Sequence, residues 1–222
     1  NRDTVSGWNV EVGGLANAWT RNVAGGEAMA WAIDFTPSGE HYTIGYNRPT
    51  GGVIANYFHG TGVVEWYTPI PQNVSSLEWL PSGIMLGVGL HNPGRLLTVD
   101  HAGGILSDYG WHSTVWSGKP YAADVTAVET NDQSTLFATA GKDGAVEIHR
   151  VDGQQMRLTI DKRLGGDYLR EISIHPIEPF VIFAESGGVV TVRDARSGKM
   201  VRQCFHPVLR RRRVWVGRGG GD

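Results

Sequence analysis

Short apolar runs that end in turn-forming residues recur along this chain at a nearly constant spacing. Alternating runs close at Phe35-Thr36-Pro37, Leu80-Pro81 and His175-Pro176. Pro37 and Pro81 are 44 positions apart, and Pro81 and Pro176 are 95 positions apart, which is two periods of about 47. A further alternating run, Val125 to Asp132, fills the gap in the series. Repetition at a fixed period indicates an array in which each unit is stable only beside its neighbours.

The segment from Tyr168 to Pro207 shows what one unit contains. Its four apolar runs are Leu169–Ile174, Phe180–Ala184, Val189–Val192 and Met200–Phe205. Ser186-Gly187-Gly188 separates the second run from the third, and two glycines between β-branched runs favour a tight hairpin. Four antiparallel strands in about 40 residues is the size of one propeller blade. We therefore expect Gly187 and Gly188 to form a structural turn.

Two segments resemble WD40 repeats. Leu136 to Ile148 carries Asp143-Gly144 where that family has an Asp-Gly turn, and His149-Arg150 replaces its Trp-Asp dipeptide. In the last unit Asp194 matches the family's Asp, while Arg193 takes the place of the tryptophan. Asp143 and Gly144 are expected to be structural turn residues, with a positive φ at Gly144. The resemblance is to a divergent WD40-like repeat.

The sequence therefore predicts an all-β fold, a WD40-like β-propeller or a segment of one with about four to five four-stranded blades. The predicted organisation is a partial blade or N-terminal strands over residues 1–26, four repeats over 27–71, 72–122, 123–167 and 168–207, and a basic, Gly-rich tail over 208–222. The family usually closes with seven blades. We therefore expect a truncated chain, a ring completed by another polypeptide, or an unusually small ring. The isolated chain is expected to be an incomplete folding unit, because open arrays leave strand edges exposed.

Two connections are predicted to be surface loops that contact partners. The first is Asn47 to Gly52, which includes Arg48. The second is the aromatic segment from Trp111 to Tyr121. Exposed aromatic residues in a loop are typical of interaction surfaces, which makes Trp111, His112 and Trp116 candidate partner-binding residues.

Charge is unevenly distributed along the chain. The formal net charge is -2, and the tail from Val208 carries +4, with five arginines against Asp222. The remainder therefore carries -6. The arginine run Arg210, Arg211, Arg212 and Arg213 is either a solvated terminus or a contact for an acidic partner, RNA or anionic lipid.

No catalytic, cofactor-binding or metal-binding motif is present in the sequence. The densest group of histidines and carboxylates, Asp100-His101 with Asp108 and His112, matches no ligand spacing. Cys204 is the single cysteine, which favours a reducing, intracellular and cytoplasmic environment, and no apolar run is long enough to span a membrane.

The resemblance implies a non-catalytic scaffold without cofactors, which binds other protein subunits within a larger assembly. One alternative is a nucleic-acid-associated propeller that uses the arginine tail. The other is a propeller hydrolase or quinoprotein, which would need acidic or histidine side chains that converge on the central channel.

Overall fold

The molecule is built from β-strands throughout the part that is described. The computed structural model describes residues 4–11, 14–22, 28–91, 93–116, 119–151, 169–185 and 187–205. These residues contain strands and turns but no helix, and hence no helix long and apolar enough to cross a membrane. The predicted all-β fold class is confirmed.

The strands follow one another with short connections. Their bounds are β1 (Thr4–Glu11), β2 (Gly14–Asn22), β3 (Met29–Phe35), β4 (His41–Arg48), β5 (Gly51–Phe58), β6 (Val63–Ile70), β7 (Val74–Trp79), β8 (Met85–Leu90), β9 (Gly94–Asp100), β10 (Ile105–Trp116), β11 (Lys119–Ala122), β12 (Val125–Thr130), β13 (Leu136–Gly141), β14 (Val146–Arg150), β15 (Leu169–Ile174), β16 (Phe180–Glu185), β17 (Val189–Asp194) and β18 (Met200–Phe205).

Successive strands pair antiparallel into separate sheets. We call these sheets blade 1 (β3–β6), blade 2 (β7–β11), blade 3 (β12–β14) and blade 4 (β15–β18), and a two-stranded sheet of β1 and β2 precedes them. The order of strands within each sheet follows the chain, so each blade is a meander. The first strand of each blade contacts the first strand of the next blade, in the order β3, β7, β12 and β15. We call these four strands the inner strands of the blades.

The first hairpin of every blade closes in the same way. The backbone N–H of the residue after the inner strand bonds to the carbonyl that opens the second strand: Thr36 to His41, Leu80 to Met85, Asn131 to Leu136 and His175 to Phe180. These four donors are therefore equivalent positions. The equivalence gives a common frame in which side chains of different blades can be compared.

Neighbouring blades pack face to face. We call the side of each blade that packs on the next its forward face. In blade 1 it includes Thr43, which accepts a hydrogen bond from Trp79 Nε1 of blade 2 at 3.0 Å. Blades 2 and 3 approach so closely that a Cβ at Gly87 would lie 2.5 Å from Phe137. Burial of these interfaces supplies the hydrophobic core, since a single sheet cannot bury both faces alone.

Two predicted surface loops are strands instead. Asn47 and Arg48 belong to β4, and Gly51 and Gly52 to β5, so only Pro49 and Thr50 form the turn. The segment from Trp111 to Trp116 extends β10. Its part from Ser113 onwards pairs with β11, with Trp116 opposite Lys119. Glycine-containing aromatic segments suit strands as well as loops, and the pairing partners decided which was formed.

Candidate functional site

The forward face of blade 4, the last blade of the series, has two exposed apolar side chains at positions that are buried in the other blades. Ile182 on β16 is equivalent to Thr43, Gly87 and Ala138 in the other blades. In every blade, this residue of the second strand pairs with the inner-strand residue that lies two positions before the donor closing the first hairpin. Thr43 and Ala138 are fully buried, whereas Ile182 is 37% exposed. The same position is therefore covered in the other blades and open in blade 4.

The third strand repeats this contrast. Val190 on β17 occupies the position of Ile54, Leu96 and Val146. Those three side chains are at most 1% exposed, whereas Val190 is 39% exposed. Because both positions of blade 4 carry β-branched apolar residues, they have the composition of a blade interface, and no further blade follows blade 4 among the described strands.

Carboxylates occupy one equivalent position on three consecutive inner strands. Asp34, Glu78 and Glu129 each lie two residues before the hairpin-closing donor of their blade, and blade 4 has Ser173 at that position. Both oxygens of Asp34 accept backbone N–H groups, from Phe35 at 2.8 Å and from Trp79 of the next blade at 2.7 Å. One acid of the row is thereby part of the link between two blades.

Burial of this row raises the pKa values of its three carboxyl groups. Burial raises the pKa of Glu78 to about 8, with a further contribution from the charges of Asp34 and Glu129. Burial likewise raises the pKa of Glu129 to about 7, and the charges of Asp34, Glu171 and Asp132 add to it. Burial also raises the pKa of Asp34, against the two backbone hydrogen bonds that lower it. The carboxyl groups of Glu78 and Glu129 therefore hold protons near neutral pH, and together with Asp34 they converge from three blades.

This convergence is the feature that the enzyme alternative would require, but the row has no metal geometry. Within the described ranges, no group of three or more His, Cys, Asp or Glu side chains could hold a metal ion. Asp34 is occupied by structural hydrogen bonds. What the row can do chemically is bind protons at Glu78 and Glu129, between neighbouring blades.

A buried polar cluster in blade 3 brings a hydroxyl, an imidazole and a carboxylate together. Thr139 Oγ1 lies 3.5 Å from His149 Nε2, and Glu147 Oε2 lies 3.7 Å from the same nitrogen. A catalytic triad needs the hydroxyl and the carboxylate on opposite nitrogens of the ring. All three side chains are also buried, at 4% exposure or less. The cluster is a polar contact inside the blade stack, at the position where WD40 repeats have their tryptophan.

Arg48 lines a cavity on the side of blade 1 opposite its forward face. The cavity has a volume of about 380 Å³ and is lined by Tyr46, Arg48, Val53, Ala55, Tyr57, Val64 and Tyr67. Tyr46 and Tyr57 share a hydroxyl hydrogen bond of 2.7 Å. Burial raises the pKa of both, so their hydroxyls stay neutral. The sequence pointed to Arg48 as a loop residue, but it could not show the aromatic walls around it.

The other predicted partner-binding residues belong to other segments of the chain. Trp111 and His112 lie in β10 opposite Arg95 and Gly94, and Trp116 lies beyond them in the hairpin with β11. The run Arg210, Arg211, Arg212 and Arg213 falls outside the described residues. The partner-binding role of these residues stays a prediction.

The predicted turn residues lie in hairpins. Gly144 has a φ of 74°, and Asp143 accepts a hydrogen bond from the backbone of Ala145 at 3.1 Å. Gly188 has a φ of 77° and donates its N–H to Glu185. Gly187 precedes it in the same turn.

The two carboxylates of the histidine–carboxylate group noted in the sequence form structural contacts. Asp100 Oδ1 accepts the N–H groups of Ala102 and Gly104, at 2.9 and 2.7 Å, and Asp108 forms an ion pair with Arg95 at 2.5 Å. These contacts shape a hairpin and join two strands.

Comparison with known proteins bears on the fold. No family model matches the sequence, and no curated protein matches it. Among solved structures, Sqt1 of Saccharomyces cerevisiae, a WD40 β-propeller protein, superposes with a TM-score of 0.74 at 13% sequence identity, over 91% of this chain and 56% of that chain. The chain has the fold of a WD40-like propeller segment. It spans 56% of the length of the protein that it resembles, and at this identity the likeness concerns the fold alone.

Proposed function

We propose that this WD40-like segment is a non-catalytic scaffold that binds another protein subunit through the forward face of blade 4. The observation that carries the proposal is the exposure of Ile182 and Val190 at positions that are buried in blades 1 to 3. Apolar side chains that are exposed at positions built for packing against another sheet are typical of protein–protein interfaces.

The other blades indicate what the partner offers. Blade 3 meets the forward face of blade 2 with Val128 and Phe137, and blade 4 meets that of blade 3 with Ile172 and Phe183. Each covering surface is thus a β-sheet with large apolar side chains. We expect the partner of blade 4 to present a sheet with the same chemistry.

The non-catalytic part of the proposal is supported by the contacts of the polar residues. Asp34 links two blades, and Thr139 and Glu147 approach one and the same imidazole nitrogen. The nucleic-acid alternative depends on the arginine run of residues 210–213, which lies outside the described part, and it stays a prediction from the sequence.

The experiment places a photo-crosslinking amino acid at Ile182, which leaves Val190 available for substitution, and captures partners from an extract of the source organism. A lysine at Val190 should abolish capture, because its charge cannot be buried against an apolar sheet. The control is Ile177→Lys, since Ile177 is 81% exposed in a turn of the same blade. The proposal requires one protein that cross-links at position 182, is lost with Val190→Lys and is kept with Ile177→Lys.

Two outcomes would contradict the proposal. One is a cross-link from position 182 back into the same chain, which would mean that the face is covered internally. The other is a captured protein that binds Val190→Lys as well as the unmodified chain. Circular dichroism should show the same strand signal for all variants, because Val190 is already partly exposed.

A further inference from the structure

The cavity on blade 1 combines apolar walls with a small number of polar groups. Its volume of about 380 Å³ lies within the range of about 300–1,000 Å³ that is usual for small-molecule sites. Val53 and Ala55 form buried parts of its wall, whereas Tyr67 is 68% exposed and therefore lies at its rim. Sites of this kind use their apolar walls to hold a ligand and their few polar groups to orient it.

The part of the wall formed by Tyr46 and Tyr57 is fixed in position. The ring of Tyr57 stacks on that of Tyr42 at a centroid distance of 5.2 Å and an interplanar angle of 5°, and the ring of Tyr46 meets it at 74°. Tyr46 is only 3% exposed. The two hydroxyl groups are therefore held in place before any ligand binds, which lowers the entropic cost of binding.

This pair of hydroxyl groups has one hydrogen more than it uses internally. Each neutral phenol can donate one hydrogen, and the bond of 2.7 Å between Tyr46 and Tyr57 takes one of the two. Within the described part of the chain, neither hydroxyl forms a second hydrogen bond. A buried donor without an acceptor costs free energy. The cavity lined by both side chains is where an acceptor can be placed.

Arg48 brings a positive charge to the same cavity. It follows Tyr46 by two positions on β4, so the two side chains lie on the same side of the sheet. Among the described residues that line the cavity, Arg48 is the single charged one. A guanidinium group and a phenolic hydroxyl are both hydrogen-bond donors, so the polar part of the site favours an acceptor with a negative charge.

The acid on the neighbouring strand is held on the other face. Glu65 Oε2 accepts a hydrogen bond from Asn56 Nδ2 at 2.9 Å and lies 3.4 Å from His41 Nε2. Asn56 precedes Tyr57 on β5, and successive side chains of a strand point to opposite faces. The carboxylate of Glu65 is thereby directed away from the cavity.

We propose that this cavity binds a carboxylate carried by a small aromatic group. The carboxylate accepts hydrogen bonds from Arg48 and from the remaining phenolic hydrogen, and the aromatic ring packs against Val53, Ala55 and Val64. A carboxylate fits better than a phosphate, because a second negative charge would be desolvated without a matching positive charge in the lining. The same chemistry is offered by a free aromatic acid and by the C-terminal aromatic residue of another chain.

The test titrates the full chain with 3-phenylpropionate and with its primary amide, and follows binding by saturation-transfer NMR. The two compounds have nearly the same shape, but only the acid carries a charge. The acid should bind more tightly than the amide by roughly tenfold or more, as expected for hydrogen bonds to a charged group. Equal affinities, or no binding of the acid at millimolar concentration, would overturn the proposal. This comparison uses the unmodified chain and does not depend on the folding of any variant.

A substitution of the arginine tests the site itself. Arg48→Gln should weaken binding of the acid by roughly tenfold and leave binding of the amide nearly unchanged, whereas a merely structural role would weaken both. The control is Arg202→Gln, which removes the same charge from an exposed residue of blade 4. An Arg48→Gln protein that binds the acid as tightly as the Arg202→Gln protein would contradict the proposal. Circular dichroism checks that both variants keep the strand signal.

Substitutions of the tyrosines test the remaining hydrogen. Tyr46→Phe or Tyr57→Phe alone leaves one hydroxyl, which still has a hydrogen to donate to the ligand. The double variant has none, so it should lose more affinity for the acid than the two single variants together. A double variant that binds the acid like the unmodified chain would show that the hydroxyl pair does not contribute.

A peptide distinguishes the two sources of the carboxylate. A tripeptide that ends in phenylalanine should bind more tightly than 3-phenylpropionate if the site takes a chain terminus, and more weakly if it takes a free acid. Neither result bears on the partner of blade 4, because that proposal concerns a different blade and face.

Discussion

The carboxylate of Asp34 accepts a hydrogen bond of 2.7 Å from the backbone N–H of Trp79 and so ties the inner strand of blade 1 to that of blade 2. Trp79 extends the link on both sides. Its indole donates to Thr43 of blade 1, and its carbonyl lies 3.5 Å from Thr130 Oγ1 of blade 3. One buried tryptophan thus connects three consecutive blades through polar contacts in addition to its apolar packing.

Replacement of Asp34 should loosen this junction. In Asp34→Ala the N–H groups of Phe35 and Trp79 lose their acceptor, and the free energy of unfolding should fall by about 1–3 kcal/mol. Asp34→Asn, which keeps one acceptor oxygen, should lose less. Urea unfolding followed by tryptophan fluorescence measures the difference, with the exposed Glu40→Ala as the control. An Asp34→Ala protein as stable as the control would show that this hydrogen bond is not needed.

The stability of the chain should decrease as the pH rises towards 8. The folded-state pKa values of Glu78 and Glu129, about 8 and about 7, lie above their ordinary value of 4.5. Between these limits the folded state binds more protons than the unfolded state. The stabilisation is therefore complete below pH 4.5 and is lost as the pH passes through the folded-state values. Melting temperatures measured across this range should fall.

Variants of these two acids separate their effect from that of other groups. Glu78→Gln and Glu129→Gln cannot ionise, so each should flatten the decline of melting temperature with pH. Glu178→Gln, a change at an exposed residue outside the row, should leave the decline as it is. A melting temperature that rises from pH 5 to pH 8, or a decline that both glutamines leave intact, would contradict the assignment.

The turn at Gly144 should resist a β-branched residue. Its φ of 74° is easily reached by glycine but strained for valine, so Gly144→Val should destabilise the fold by about 1–3 kcal/mol. Gly144→Asn should cost less, because asparagine tolerates the left-handed region. Thermal unfolding of the two variants gives the comparison. Equal melting temperatures for the valine variant and the unmodified chain would show that the turn adapts.

The close approach of blades 2 and 3 should make Gly87 sensitive to a single methyl group. A Cβ at this position would lie 2.5 Å from Phe137 and 3.1 Å from Val128. Gly87→Ala should therefore separate the two sheets and lower the free energy of unfolding by about 1–3 kcal/mol. Gly60→Ala is the control, because that glycine lies in an exposed turn. Chemical unfolding that does not distinguish the two variants would show that the interface can relax.

Much of the fold could be predicted from local patterns. The recurrence of Pro37, Pro81 and Pro176 predicted strand-ending turns, and Thr36, Leu80 and His175 beside them close equivalent hairpins. Such positions are readable because a turn depends on the conformational preferences of a few adjacent residues. The same reasoning failed for the segment from Trp111 to Trp116. Whether an aromatic run with glycine becomes a strand depends on a partner strand that is distant in the sequence.

The sequence by itself determined the repeat, the all-β class and the turns, since these follow from local conformational preference and from the period of apolar residues. Only the tertiary structure decided which side chains meet. Asp34, Glu78 and Glu129 are 44 and 51 positions apart in the sequence, and they interact because the inner strands of successive blades lie side by side. Val190 resembles other buried valines in its local sequence. Its exposure follows from the absence of a described sheet against blade 4, because burial is a property of what packs on a residue.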